Sequence, residues 1–89
     1  MPKLKRHKQF VKDLKTAKLT DEQFQKLVRY LNLLLEGKSL PPEAKNHPLK
    51  GEYKGFWEFH LGGDMLVIYH KGEDAITLTR IGTHARLFK

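Results

Sequence analysis

A chain of 89 residues has room for one hydrophobic core and so for a single domain, and at 39% hydrophobic residues it can bury that core rather than stay disordered. Disulfide staples and thiolate metal sites are excluded because no cysteine is present; no apolar run approaches the roughly 20 residues that cross a bilayer, and no secretory signal is visible behind the basic N-terminus, so the expectation is a soluble cytoplasmic protein without membrane contact. The formal charge is +7, and residues 1–20 hold seven Lys/Arg (Lys3, Lys5, Arg6, Lys8, Lys12, Lys15, Lys18) against Asp13 alone, a net +6. Such a field favours RNA, DNA, an anionic membrane surface or an acidic protein, and it also serves as a solvated face that keeps a protein in solution.

Leu4 to about His7 reads as a short strand. Phe10, Val11, Leu14 and Ala17 then recur at helical spacing, with lysines on the other side. Thr20 is a helix N-cap, Gln23 completes a capping box, and Asp21 and Glu22 suit the positive end of the helix dipole. Phe24, Leu27, Val28, Leu31, Leu34 and Leu35 form an apolar stripe behind that cap, and Gly37 is the natural stop. The two helices make an αα-hairpin turning near Leu19.

Residues 38–55 read as a loop, since Pro41 and Pro42 forbid a continuing helix and Gly51 and Gly55 punctuate. From Phe56 the period becomes two: Trp57, Phe59 and Leu61 alternate with Glu58 and His60, which share the opposite face. Gly62-Gly63-Asp64 is a hairpin turn, Met65–Tyr69 a central strand, and Lys71–Asp74 a second turn. In the strand Ala75–Ile81, residues Ile76, Leu78 and Arg80 are expected on one face; Gly82-Thr83 ends it and His84–Phe88 is a short tail. The fold class is α+β: a short N-terminal strand and an αα-hairpin packed on a small, mostly antiparallel sheet.

Polar residues interrupt this apolar strand sequence at His60, Asp64, Arg80 and His84, with His47 upstream in the loop. An antiparallel meander would set His60 beside Asp64 across the turn and bring Arg80 and His84 back to the same edge. Acid, base and cation together suffice to cut RNA: a base takes the 2′-hydroxyl proton, an acid protonates the departing 5′-oxygen, and a cation holds the phosphoryl oxygens. Histidines titrate near neutrality and can divide the first two roles, while arginine supplies a planar fork for phosphate. Glu58, on the His60 face, is a secondary catalytic candidate. Each residue also has an ordinary use. A strand histidine is commonly a hydrogen-bonded structural residue, Asp64 suits a turn, Arg80 has Glu58 as an available ion-pair partner, and Phe56, Trp57 and Phe59 suit a core. The spacing of His47, His60 and Asp64 matches no compact ligand pattern, so neither a metal nor another cofactor is expected.

The stretch His47-Pro48-Leu49-Lys50-Gly51, then Lys54-Gly55-Phe56, His60, Asp64, Ile68-Tyr69, Arg80-Ile81-Gly82-Thr83-His84 and Leu87-Phe88 resembles the YafQ branch of the RelE-like toxins of bacterial toxin–antitoxin pairs. The resemblance is close over the second half of the chain and extends to the arrangement of the helices in the first. It implies one RelE-like domain over residues 1–89, acting as a ribosome-dependent mRNA endonuclease and silenced by an antitoxin, with operator DNA bound only through the antitoxin complex. Such an antitoxin should be acidic to cover a +7 surface. Carried over by position, the resemblance makes His47, His60, Asp64 and His84 the catalytic set, Arg80 the phosphate contact, and Phe88 the aromatic near the scissile RNA. His84 is then the general acid, and His60 or Asp64 the base. Lys50, Lys54 and the N-terminal lysines become RNA-docking residues. Trp57, Gly62-Gly63 and Met65 stand where relatives often have arginine, a proline-containing turn and tryptophan. The alternative is a non-catalytic basic RNA- or DNA-binding module acting with an acidic partner.

Overall fold

The computed structural model describes residues 1–88. Its elements in chain order are β1 (Lys3–Arg6), α1 (Lys8–Thr16), α2 (Asp21–Leu35), β2 (His47–Pro48), β3 (Phe56–Gly62), β4 (Met65–Lys71), β5 (Ala75–Thr83) and α3 (His84–Leu87). Two 3-10 turns, Pro42–Ala44 and Gly51–Tyr53, shape the loop around β2. The strands form one sheet in the order β1-β5-β4-β3-β2, antiparallel except where β1 runs parallel to β5. The α+β reading and the mostly antiparallel sheet are what the sequence led to. No described helix is long and apolar enough to cross a membrane.

The central strand shows why the sheet lies in the middle of the molecule. Val67 and Tyr69 pack with Phe10, Leu27, Tyr30 and Leu34 of the helices, while Leu66 and Ile68 pack with Leu87, Tyr53, Phe56 and Phe88 on the other side. A strand buried on both faces has no polar alternation to show, hence the apolar run of residues 65–69. At roughly 1.5–3 kcal/mol for each fully buried large apolar side chain, these two layers supply most of the force for folding.

Helix α2 starts and stops as its residues dictate. Thr20 accepts from the Gln23 N–H at 3.1 Å while Gln23 returns a bond to the Thr20 N–H at 3.0 Å. At the far end Gly37 takes φ +72°, and the N–H groups of Gly37 and Lys38 close on the carbonyls of Leu34 and Leu33. This is a Schellman stop that needs a left-handed residue. The Gln23 amide also donates to the Gly62 carbonyl at 3.0 Å, tying the helix start to the β3–β4 turn.

Four expectations need correction. In α1 the buried partner of Phe10 is Asp13, one position before Leu14, which is exposed. In α2 the core takes Leu27, Tyr30 and Leu34 and leaves Phe24 (56% exposed) and Val28 (52%) in solvent, because a helix lying on a sheet covers a narrower stripe than the six apolar residues span. The loop of residues 38–55 contains a strand, β2, and the tail is the helix α3. Finally, Ile68 faces Arg80 while the next residue, Tyr69, faces Leu78, so Thr79 is an extra residue, a β-bulge. The bulge reverses the alternation beyond it: Ile81 joins Ile76 and Leu78 in the helix-side core, and Arg80 leaves that face.

Phe59, fully buried and edge-on to Tyr30 at 5.7 Å, lies at the centre of the helix-side layer. Phe59→Ala should lower the unfolding free energy by about 3–5 kcal/mol in denaturant titration, whereas Val28→Ser should stay within about 0.5 kcal/mol. Equal effects would contradict this division of α2 and the sheet.

Candidate active site

On the face opposite α1 and α2 the sheet carries a carboxylate between two imidazoles. Glu58 and His60 are two apart on β3 and therefore project from the same side. His60 Nε2 lies 2.9 Å from Glu58 Oε2. His47 is the register partner of Glu58 across β2–β3, and its Nε2 lies 3.4 Å from the same oxygen. The carboxylate is buried, its side chain only 6% exposed, while the two rings reach solvent.

The loop bearing His47 is fixed from both ends. Lys45 adopts φ +48° and its carbonyl faces His47 Nδ1 at 2.6 Å, so that nitrogen carries the hydrogen. The neighbouring Asn46 side chain accepts from the Tyr69 hydroxyl at 2.7 Å. Burial pushes the Tyr69 phenol up to about 12, so it remains a neutral donor throughout the physiological range.

Asp64 and His84 are brought together through the backbone: the His84 N–H donates to the Asp64 carbonyl at 3.1 Å. Both side chains are exposed. Thr83 caps α3 by accepting from the Arg86 N–H, and Leu87 is pressed onto the sheet, which leaves His84 at the solvent side of the helix start. Phe88 lies against the His84 ring at 4.8 Å and against Tyr53 at 5.6 Å, and Tyr53 reaches Phe56 at 6.0 Å. Lys50 and Lys54 flank the Gly51–Tyr53 turn, both exposed. Among the described residues no group of three or more His, Asp or Glu side chains is arranged to hold a metal ion.

Arg80 has a partner that the sequence reading did not supply. It pairs with Asp13 rather than Glu58, donating from Nε to Oδ2 at 2.7 Å and from Nη2 to Oδ1 at 3.2 Å. The Ile81 N–H also donates to Asp13 Oδ2, at 3.2 Å, and the Gln9 amide to Oδ1, at 3.1 Å. Burial alone would push the Asp13 carboxyl up; hydrogen bonds from Arg80, Gln9 and the Ile81 N–H outweigh it and hold the group below the usual carboxylate range. The hydrogen bond to Asp13 correspondingly raises Arg80, with Tyr53 adding to the effect. His60 likewise finds Glu58 and not Asp64: its cross-strand neighbour is Leu66, and Asp64 lies beyond it in the exposed turn. Tyr53 and Asp13 are the site-lining residues that sequence reasoning missed. Asp13 left one signal, an acid at helical spacing from Phe10 within an otherwise basic segment.

This constellation has close relatives. The family model described as bacterial toxin of type II toxin–antitoxin system, YafQ, matches residues 2–89. The mRNA interferase toxin YafQ of Escherichia coli K12 is 39% identical over 82 residues, covering 90% of this chain and 88% of that one. The crystal structure of YafQ from E. coli BL21(DE3) superposes with a TM-score of 0.87 at 31% identity over 100% of both chains. A crystal structure of the E. coli DinJ–YafQ complex contains a chain matching at TM-score 0.85 and 32% identity, again over 100% of both.

The Asp13 carboxyl sets a pH signature. Its folded value lies below the unfolded value of about 3.9, so its contribution to stability is complete above that pH and is lost as pH falls through the folded value. Unfolding free energies measured from pH 7 downward should show wild type losing stability below about pH 4. Asp13→Asn should start lower at pH 7 and show a shallower acid limb; parallel limbs would mean that Asp13 is not held ionised.

Proposed function

The chain belongs to the YafQ family of bacterial type II toxins, and on that premise we propose that it is an mRNA endoribonuclease acting at the ribosome and silenced by a cognate acidic antitoxin. The observation that carries the reading is the buried Glu58 carboxylate shared by two imidazoles, on a chain that matches the toxin family from residue 2 to residue 89.

The chemistry follows from the side chains. His60, donating its Nε2 hydrogen to Glu58, is held in the tautomer whose Nδ1 is unprotonated and able to accept a proton. It takes the 2′-hydroxyl proton as the oxygen attacks the adjacent phosphorus; Asp64, exposed at the turn, is the other candidate for this role. The bond to the 5′-oxygen breaks, His84 donates a proton to that leaving oxygen, and a 2′,3′-cyclic phosphate and a 5′-hydroxyl end result. His47, its Nε2 3.4 Å from Glu58 Oε2, pairs with that carboxylate when its ring is doubly protonated. Arg80 offers donors to the phosphoryl oxygens, whose charge grows in the transition state. Phe88 supplies an aromatic face beside His84, and a stacked base on such a face contributes about 1–3 kcal/mol. Lys50 and Lys54 contact phosphates at the rim, and the +6 N-terminal segment docks ribosomal or messenger RNA. The antitoxin complements the same positive surface, and operator DNA is reached through that complex.

Primer extension on a translated message after brief expression of the protein tests the reading. Discrete in-frame cuts are expected with wild type, and His84→Ala should abolish both the cuts and the growth arrest while keeping its circular dichroism spectrum. Removing Phe88 should weaken the cuts without eliminating them. RNA binding with no cuts by wild type would make this a binding module.

A further inference from the structure

A guanidinium has five N–H bonds, and which of them face a substrate depends on what holds the rest. Arg80 leaves β5 next to Ile68 in register, on the face where Ile68 is covered by Tyr53, Phe56 and Phe88. β1 pairs with β5 only as far as Leu78, so from Thr79 onward that edge of β5 has no strand beside it. Around this open edge Arg80 reaches Asp13, a residue 1% exposed on the inner side of α1. The same carboxylate satisfies the Ile81 N–H, which the missing strand leaves free. Asp13 thus fastens α1 to the backbone of β5 and to the side chain of Arg80 at once.

We infer that Asp13 is a positioning residue for RNA cleavage: it engages Nε–H and one Nη2–H of Arg80 and thereby turns the three remaining N–H bonds toward the face that carries Tyr53, Phe88 and the histidines. This rests on the proposed nuclease reading, in which Arg80 meets phosphate. The pairing has a second consequence. Asp13 neutralises much of the Arg80 charge, so what the guanidinium brings to phosphate is an oriented set of donors more than a free cation. A bidentate donor set gains by being rigid, because no ordering is left to do when charge develops on the phosphoryl oxygens. A group made to bind phosphate by charge alone would be better left unpaired, as Lys50 and Lys54 are exposed in the loop.

Single-turnover cleavage on message-programmed ribosomes, with the protein in excess, separates a positioning role from a structural one. Asp13→Asn should reduce the saturating cleavage rate by about 10–100-fold, the range for groups that orient a reacting neighbour, with little change in the half-saturating concentration. Arg80→Ala should reduce it at least as much, and the double variant should be no slower than Arg80→Ala alone, since the two residues act as one unit. Multiplying losses, or an unchanged rate in a folded Asp13→Asn, would overturn the inference while leaving the nuclease reading intact. If Asp13→Asn does not fold, Arg80→Lys takes its place. Lysine keeps the charge but cannot present a fork to Asp13 and to phosphate together, so a rate as low as that of Arg80→Ala supports orientation and a wild-type rate overturns it. Absence of cleavage by wild type would remove the nuclease reading, and this inference with it.

Discussion

A carboxylate shut away from water must be given hydrogen-bond donors, and much of this structure follows from meeting that need at Asp13. An ionised group in a protein interior without partners costs several kcal/mol, a large share of the roughly 5–15 kcal/mol by which a domain is stable. Asp13 receives four donors from two elements of the chain: Gln9 on its own helix, and the Arg80 fork and the Ile81 backbone on β5. The Arg80 and Ile81 donors are within reach only when α1 lies against the last third of β5. The helix is therefore fixed in position by a polar contact as well as by Phe10, and the contact defines an angle that apolar packing alone leaves loose.

The basic strand β1 and the histidine cluster lie at opposite edges of the sheet. β1, wholly exposed and basic, forms one edge, and β2 with His47 forms the other. Four inter-strand spacings of about 4.8 Å put roughly 19 Å between them. The Debye length at physiological ionic strength is about 8 Å. His60, on β3, is three spacings from β1, roughly 14 Å or nearly two screening lengths, so Lys3, Lys5 and Arg6 contribute little to the field at a phosphate beside it. Their effect is on encounter and docking, where long-range attraction raises association rates, and under the proposed function charge stabilisation at the phosphate would fall to the residues on the sheet face.

Much of the fold was legible because it rests on local rules. The capping box at Thr20, the Gly37 stop and the alternation from Trp57 to Leu61 each concern neighbours within four residues, and the structure keeps all three. Features set by distant partners were not. The bulge at Thr79 carries no glycine or proline to mark it, and it decides whether Arg80 or Ile81 joins the core. β2 is two residues long, too short for any period to appear, and it exists because β3 offers it an edge. The placement of Glu58 with His60 followed from the period of two, whereas the exposure of Asp64 in the turn did not, since a hairpin register fixes what lies opposite a residue only once the turn is known.

The segment Arg80–His84 shows how a short string can specify a site without any residue being idle. Arg80 is held by Asp13 through two hydrogen bonds. Ile81 fills the helix-side core with its side chain and satisfies Asp13 with its N–H. Gly82 is required for space: a Cβ there would meet the Leu87 side chain at 3.2 Å, and Leu87 must come that close for α3 to fold back onto the sheet. Thr83 supplies the cap that starts α3 at once, and the His84 N–H is secured to the Asp64 carbonyl across the neighbouring turn. A four-residue helix has almost no stability of its own, so its position is set by these contacts alone. A change at Gly82 or Thr83 therefore moves His84 and Phe88 relative to Glu58 and His60 without touching any of the four side chains. The stretch Ile81–Thr83 is thus a distance constraint between Glu58 and His60 on one side of the candidate site and His84 and Phe88 on the other.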